Sequence, residues 1–237
     1  MHEELHLATV MALYIGSVVS TVSIPWAGGQ VSGRMAGEGR DGVLLAHGAG
    51  TDQDHRVIAS LRDRLAAAGL RVLTFNYPYT ERGSKSPDRA ERLVECHRAA
   101  ADVLAEVVDN MFFAGRSMGG RMATYLVAEG YPAAGVILYA YPLHPPGKPE
   151  SLRVDHFPKV TVPLLFFQGT RDSLSRMDLF ETHIASLPNV TVEVLDGATH
   201  ALTGGGWSET EMLEHLSDRS ASWIAGVSSG RSDTIRP

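Results

Sequence analysis

Met111-Phe112-Phe113-Ala114-Gly115-Arg116-Ser117-Met118-Gly119-Gly120 is a short apolar run that ends in Gly-x-Ser-x-Gly. A serine projecting from a sharp strand-to-helix turn needs neighbours without Cβ atoms, and Gly115 and Gly119 flank Ser117 in that way. Gly120 then lets the following helix lie close against a sheet. The pentapeptide is common enough to arise by accident, so its surroundings decide its meaning. Val107, Val108, Met111, Phe112 and Phe113 precede it as a strand signal. Met118, Met122 and Leu126, with Ala123 and Val127 alongside, follow it at helical spacing.

Outward from this turn, the chain reads as two early strands (18–24 and 30–35) and then an alternation of strand and helix. Strands are expected at 42–46, 71–76, 135–139, 163–168 and 191–195. Helices are expected at about 54–68, closed by Gly69, and from Ser86 as cap with Pro87 in the first turn through Leu104. A further helix spans about 175–187, and Ser208-Glu209-Thr210-Glu211 is a capping box for the last one. Short apolar strands alternating with amphipathic helices predict an α/β fold with a mostly parallel sheet, helices on both faces. Ligands in such sheets bind beyond the carboxyl ends of the strands, where Ser117 lies.

At 237 residues the chain suits one core, expected over 1–226, with the order of 1–17 left open and a flexible tail over 227–237. A net charge of −6 with scattered cations argues against nucleic acid as a partner. Gly16, Ser17, Ser20 and Thr21 interrupt the apolar stretch 7–22, and Glu3 and Glu4 stand where a signal peptide needs positive charge. No membrane partner is therefore expected. The single cysteine, Cys96, fits a reducing, cytoplasmic compartment and reads as a buried, inert thiol. No phosphate-binding glycine loop, zinc pattern or dinucleotide pattern appears, so neither cofactor nor metal is expected.

A serine hydroxyl becomes a good nucleophile only when a base takes its proton, and the base needs a third group to fix its tautomer. Asp172 follows the penultimate strand in Gln168-Gly169-Thr170-Arg171-Asp172, and His200 follows the last in Asp196-Gly197-Ala198-Thr199-His200. Serine, acid and histidine thus stand in the order expected of such a fold, each past a strand end. Asp196 competes for the acid role but reads better as a loop-shaping residue. The amide of Met118, at the positive end of the serine helix, is one expected oxyanion donor. The other is the amide of Ala49, with Gly50 second, in the loop His47-Gly48-Ala49-Gly50. His47 reads as a residue shaping that loop or lining the site rather than as a second base.

These features resemble the α/β-hydrolase fold over roughly residues 18–226. A finer resemblance rests on Leu44-Leu45-Ala46-His47-Gly48-Ala49-Gly50, Arg116-Ser117-Met118-Gly119-Gly120-Arg121 and Tyr141-Pro142-Leu143-His144-Pro145-Pro146-Gly147-Lys148-Pro149. It is to small bacterial hydrolases grouped with a testis-expressed protein and the third subunit of the NSL chromatin complex. The dienelactone-hydrolase group is similar in size, but its usual nucleophile is cysteine where this chain has Ser117. The resemblance implies a serine hydrolase and no particular substrate.

The stretch 139–160 is too short for a large lid and is proline-rich, so an open cleft for small esters is expected. Tyr141, His144 and Lys148 either line it or pack a rigid loop, and 77–86 offers another rim. Arg116 either favours an anionic substrate or pairs with the scaffold. The expected activity is cleavage of small carboxylic esters or thioesters through an acyl-enzyme, by a monomer or homodimer. The alternatives are a small peptidase or amidase, and a hydrolase-like scaffold whose work is protein interaction.

Overall fold

In each central strand, side chains alternate between two covered faces, so both must be apolar. In the computed structural model, which describes residues 18–230, Phe112 packs into one core layer and Phe113 into the other. The strands are β1 (Ser20–Trp26), β2 (Gly29–Ala36), β3 (Asp41–Ala46), β4 (Arg71–Phe75), β5 (Asn110–Arg116), β6 (Gly135–Tyr139), β7 (Leu164–Gly169) and β8 (Val190–Leu195). They form one eight-stranded sheet in the order β1-β2-β4-β3-β5-β6-β7-β8. β3 to β8 run parallel, and the β1–β2 hairpin joins β4 antiparallel. The expected sheet is therefore found, with an antiparallel edge.

The helices are α1 (Arg56–Ala67), a short α2 (Pro78–Glu81), α3 (Ala90–Ala105), α4 (Met118–Ala128), α5 (Met177–Phe180) and α6 (Glu209–Ser228). Leu93, Leu104, Met122 and Leu126 of α3 and α4 cover one face together with Leu44, Phe113 and Leu138. Ile58, Leu61 and Leu65 of α1 and Leu216 and Ile224 of α6 cover the other, over Val43, Leu45 and Ile137. Apolar residues at these helical spacings form the stripes that drive both layers together.

Three boundaries differ from the expectation. Arg89, not Ser86, caps α3, because Pro87 holds the preceding residue extended and Asp88 turns to pair with Arg82 at 2.7 Å. α5 starts only at Met177, because the Ser175 amide donates to the carbonyl of Asp172; the helix then widens into a π turn over Glu181–Ala185. α6 extends to Ser228, past the expected start of the tail at 227. The capping box is as expected, with Ser208 Oγ accepting from the Glu211 amide at 3.2 Å and Glu211 accepting from Ser208 N at 2.8 Å. The expectations for 1–17 and for the end of the tail lie outside the described residues.

Candidate active site

Ser117 joins β5 to α4 with φ 51° and ψ −115°, a strained conformation for a residue with a side chain. Neighbouring glycines make the turn possible. A Cβ on Gly115 would sit 2.3 Å from the Gly120 amide nitrogen, and one on Gly119 would sit 2.5 Å from the Ala46 carbonyl oxygen. Gly120 presses against β6, where a Cβ would come within 2.8 Å of Leu138 Cδ2. The Ser117 amide donates to the Tyr139 carbonyl at 2.9 Å, which fixes the turn to the sheet.

His200 and Asp172 reach the same point from the ends of β8 and β7. Their loops are laced together: Arg171 N donates to Ala198 O at 2.9 Å, and Thr170 Oγ1 binds both the Gly197 amide and the Asp196 carboxylate. A Cβ on Gly169 would lie 2.3 Å from the Ala198 carbonyl, so only glycine lets the loops approach this closely. Asp196 thus shapes the loop, as expected. Asp172 has a fully buried side chain, and its Oδ1 accepts from the Leu174 amide at 2.8 Å.

His200 Nδ1 lies 2.8 Å from Asp172 Oδ2, and His200 Nε2 lies 2.8 Å from Ser117 Oγ. A carboxylate only accepts, so Nδ1 carries the proton and Nε2 is free to accept from the serine hydroxyl. That arrangement can move a proton from Ser117 to His200 while Asp172 steadies the imidazolium.

Met118 opens α4, so its N–H has no acceptor within the helix and faces outward at the positive end. The other expected donor loop runs directly against Ser117: a Cβ on Gly48 would lie 3.7 Å from the serine Cβ. His47 is fully buried, with Nδ1 bonded to Gly48 O at 2.8 Å and Nε2 accepting from the Tyr77 amide at 3.3 Å. Both ring nitrogens are thus used by a neutral imidazole, and burial depresses its pKa to about 4. His47 shapes the loop and does not reach solvent. Ala49 and Gly50 are exposed in the turn that follows, Gly50 with φ 72°.

The remaining expected site residues are placed differently. Tyr141 is fully buried, its hydroxyl donates to Arg153 O at 2.8 Å, and it packs on Phe157 and Phe166. It belongs to the core, not the cleft. His144 is also buried, with Nδ1 bonded to Pro145 O at 2.9 Å. These residues follow the rigid-loop alternative, and only Lys148 of the three is exposed. Between β6 and β7 the chain makes a single short 3-10 turn, Phe157–Lys159, and no helical lid. The 77–86 loop does approach the site: Lys85 O would lie 3.8 Å from a Cβ on Gly50.

Arg116 forms no ion pair among the described residues. Its Nη2 reaches the His200 carbonyl at 3.4 Å, and burial lowers the pKa of the guanidinium. It lines a cavity of about 210 Å³ beside His55, Leu202, Met212 and Leu213. Sequence reasoning missed this contact, the Leu174 amide on Asp172 and the close approach at Gly169. Only Gly169, sitting between the strand and the acid loop, left a visible trace in the sequence.

Among the described residues no group of acidic, histidine or cysteine side chains could hold a metal, and no helix is long and apolar enough to cross a membrane. Among solved structures, the chain is similar to Est1E from Butyrivibrio proteoclasticus, with TM-score 0.71 and 15% identity over 88% of this chain and 99% of that one. It is similar to a dienelactone hydrolase from Anabaena variabilis, with TM-score 0.72 and 18% identity over 89% of this chain and 98% of that one. An alpha-beta serine hydrolase homologue from Coxiella burnetii gives TM-score 0.68 and 18% identity over 84% and 96% of the two chains. At such identities the likeness is one of fold. The sequence signature of the alpha/beta hydrolase domain matches residues 39–227, and the chain belongs to that family.

Proposed function

We propose that this hydrolase cleaves small carboxylic esters or thioesters through an acyl-enzyme on Ser117. The observation that carries the reading is His200, which bridges Ser117 Oγ and the buried Asp172 at 2.8 Å on each side. Ser117 Oγ attacks the carbonyl carbon as its proton passes to His200 Nε2. The tetrahedral oxyanion is held by the Met118 amide and the Ala49 amide. His200 then protonates the leaving alcohol or thiol, and water repeats the sequence to release the acid.

His47 supports the choice of Ala49. It and Thr51 Oγ1, at 2.8 and 3.0 Å, hold the Gly48 carbonyl from one side. In a planar trans peptide the N–H points opposite to the C=O, so the Ala49 amide is directed away from those partners. The absence of a helical lid between β6 and β7 favours compact substrates over long buried acyl chains. The finer kinship with the NSL-subunit group, a cytoplasmic setting and a small molecule as sole partner belong to this reading. Turnover of nitrophenyl esters of increasing acyl length tests it: the rate falls beyond short chains, and a clear preference for long chains contradicts the open cleft.

A further inference from the structure

Arg121 stands one turn beyond Ser117 on α4, a rise of about 6 Å along the helix. Its Nε is buried and meets no hydrogen-bond partner among the described residues. Its guanidinium carbon lies 5.7 Å from the centre of the Tyr125 ring, a contact that covers the face of the group but leaves its N–H edges unused. Tyr125 in turn meets His156 edge-on at 4.5 Å, and His156 Nε2 bonds Thr124 Oγ1 at 2.8 Å.

The loop after β6 carries a second guanidinium, that of Arg153, three residues before the His156 that packs on Tyr125. Tyr141 holds the Arg153 carbonyl, and the Arg153 amide donates to Leu143 O at 2.8 Å. The side chain of Arg153 has one long contact, from Nη1 to Pro142 O at 3.4 Å. Neither arginine forms an ion pair among the described residues. Burial first, and the charge of Arg121 second, lower the pKa of Arg153 and push that of His156 down to about 4. The exposed Asp155 opposes this at His156 but is outweighed. Two half-buried guanidiniums with unused donors and no ion pair among the described residues lack an anion.

We propose that Arg121 and Arg153 form an oxyanion subsite one helical turn from Ser117, which holds the carboxylate or phosphate of an anionic ester. The planar fork of each guanidinium suits either oxyanion. Ser117 precedes α4 and Arg121 lies in its first turn, so the subsite measures the spacer between ester carbonyl and anion at a few carbons. This rests on the reading of Ser117 as nucleophile, and the test separates the two.

Phenyl valerate and monophenyl glutarate differ only in a terminal methyl or carboxylate. The wild type prefers the glutarate in kcat/KM by about tenfold or more, and Arg121→Gln and Arg153→Gln each bring the ratio toward one while Arg121→Lys restores part of it. A wild-type ratio at or below one, or a ratio unmoved in both glutamine variants, overturns the subsite. Calorimetric titration of glutarate and of inorganic phosphate into Ser117→Ala reads the subsite without turnover. Binding of either anion that is lost on adding Arg121→Gln supports it and tells which oxyanion it takes. No binding of either, or binding indifferent to Arg121, overturns it. If neither ester is cleaved while an anion still binds through Arg121, the nucleophile reading fails and the subsite stands.

Discussion

The Gly169 Cα faces the Ala198 carbonyl so closely that a methyl group there would come within 2.3 Å of the oxygen. Through that contact the acid loop after β7 and the histidine loop after β8 are held in one register. Gly169→Ala must push backbone against backbone, and overpacking of this kind costs about 2 kcal/mol. It also moves Asp172 relative to His200. Denaturant unfolding and esterase assays should show lower stability and lower kcat together; an unchanged protein would mean the loops are free to part.

Arg116→Met removes a half-buried guanidinium with no ion pair among the described residues, whose one hydrogen bond within the site goes to the His200 carbonyl. Relief of a half-buried charge with no ion-pair partner should keep thermal stability level or raise it. Loss of the hold on His200 should lower kcat by about tenfold, equivalent to about 1.4 kcal/mol, with less effect on KM. A variant that is less stable yet turns over at the full rate contradicts this assignment.

His47→Ala removes the shorter of the two holds on the Gly48 carbonyl and so loosens the peptide that presents the Ala49 amide. The expected result is a fall in kcat of about tenfold to a hundredfold at nearly constant KM, since an oxyanion donor acts mainly in the transition state. A pure KM effect would assign His47 to substrate binding instead.

Acid should destabilise the fold through its buried histidines. Burial holds His47 neutral with a pKa lowered to about 4, and His97, bonded to Tyr77, with a pKa lowered to about 3. The unfolded chain protonates both near 6.5, so between about pH 6.5 and 4 it binds more protons than the folded chain. Stability therefore rises with pH in that window and is lost as pH falls, by on the order of 1 kcal/mol per unit for each histidine. Unfolding free energies at pH 7 and pH 5 check this, and His97→Gln, which cannot titrate, should flatten the slope. Equal stability at both pH values would contradict it.

The turn around Ser117 was legible in the sequence because its demand is local: Gly115, Gly119 and Gly120 are each required by backbone or side-chain atoms within 3 Å. Asp172 and His200 were legible because the order of the chain fixes which strand ends they follow. The roles of Tyr141, His144 and Arg121 were not. A tyrosine or histidine in a proline-rich loop can face cleft or core, and the choice for Tyr141 is made by the Arg153 carbonyl, met only when the loop folds back. Arg121 reads in the sequence as one more helix residue, and its buried Nε is visible only in three dimensions. The start of α3 was misplaced because Ser86-Pro87 is a sound cap in isolation, while Asp88 is drawn away to Arg82.

The central claim is that Ser117 is the nucleophile, activated by His200 and Asp172. Reaction of the folded protein with a fluorophosphonate, followed by peptide mapping, tests it most directly. The account predicts one adduct per chain on Ser117, absent in Ser117→Ala and much slower to form in His200→Ala. An adduct that persists in Ser117→Ala, or none at all on folded wild-type protein, would contradict it.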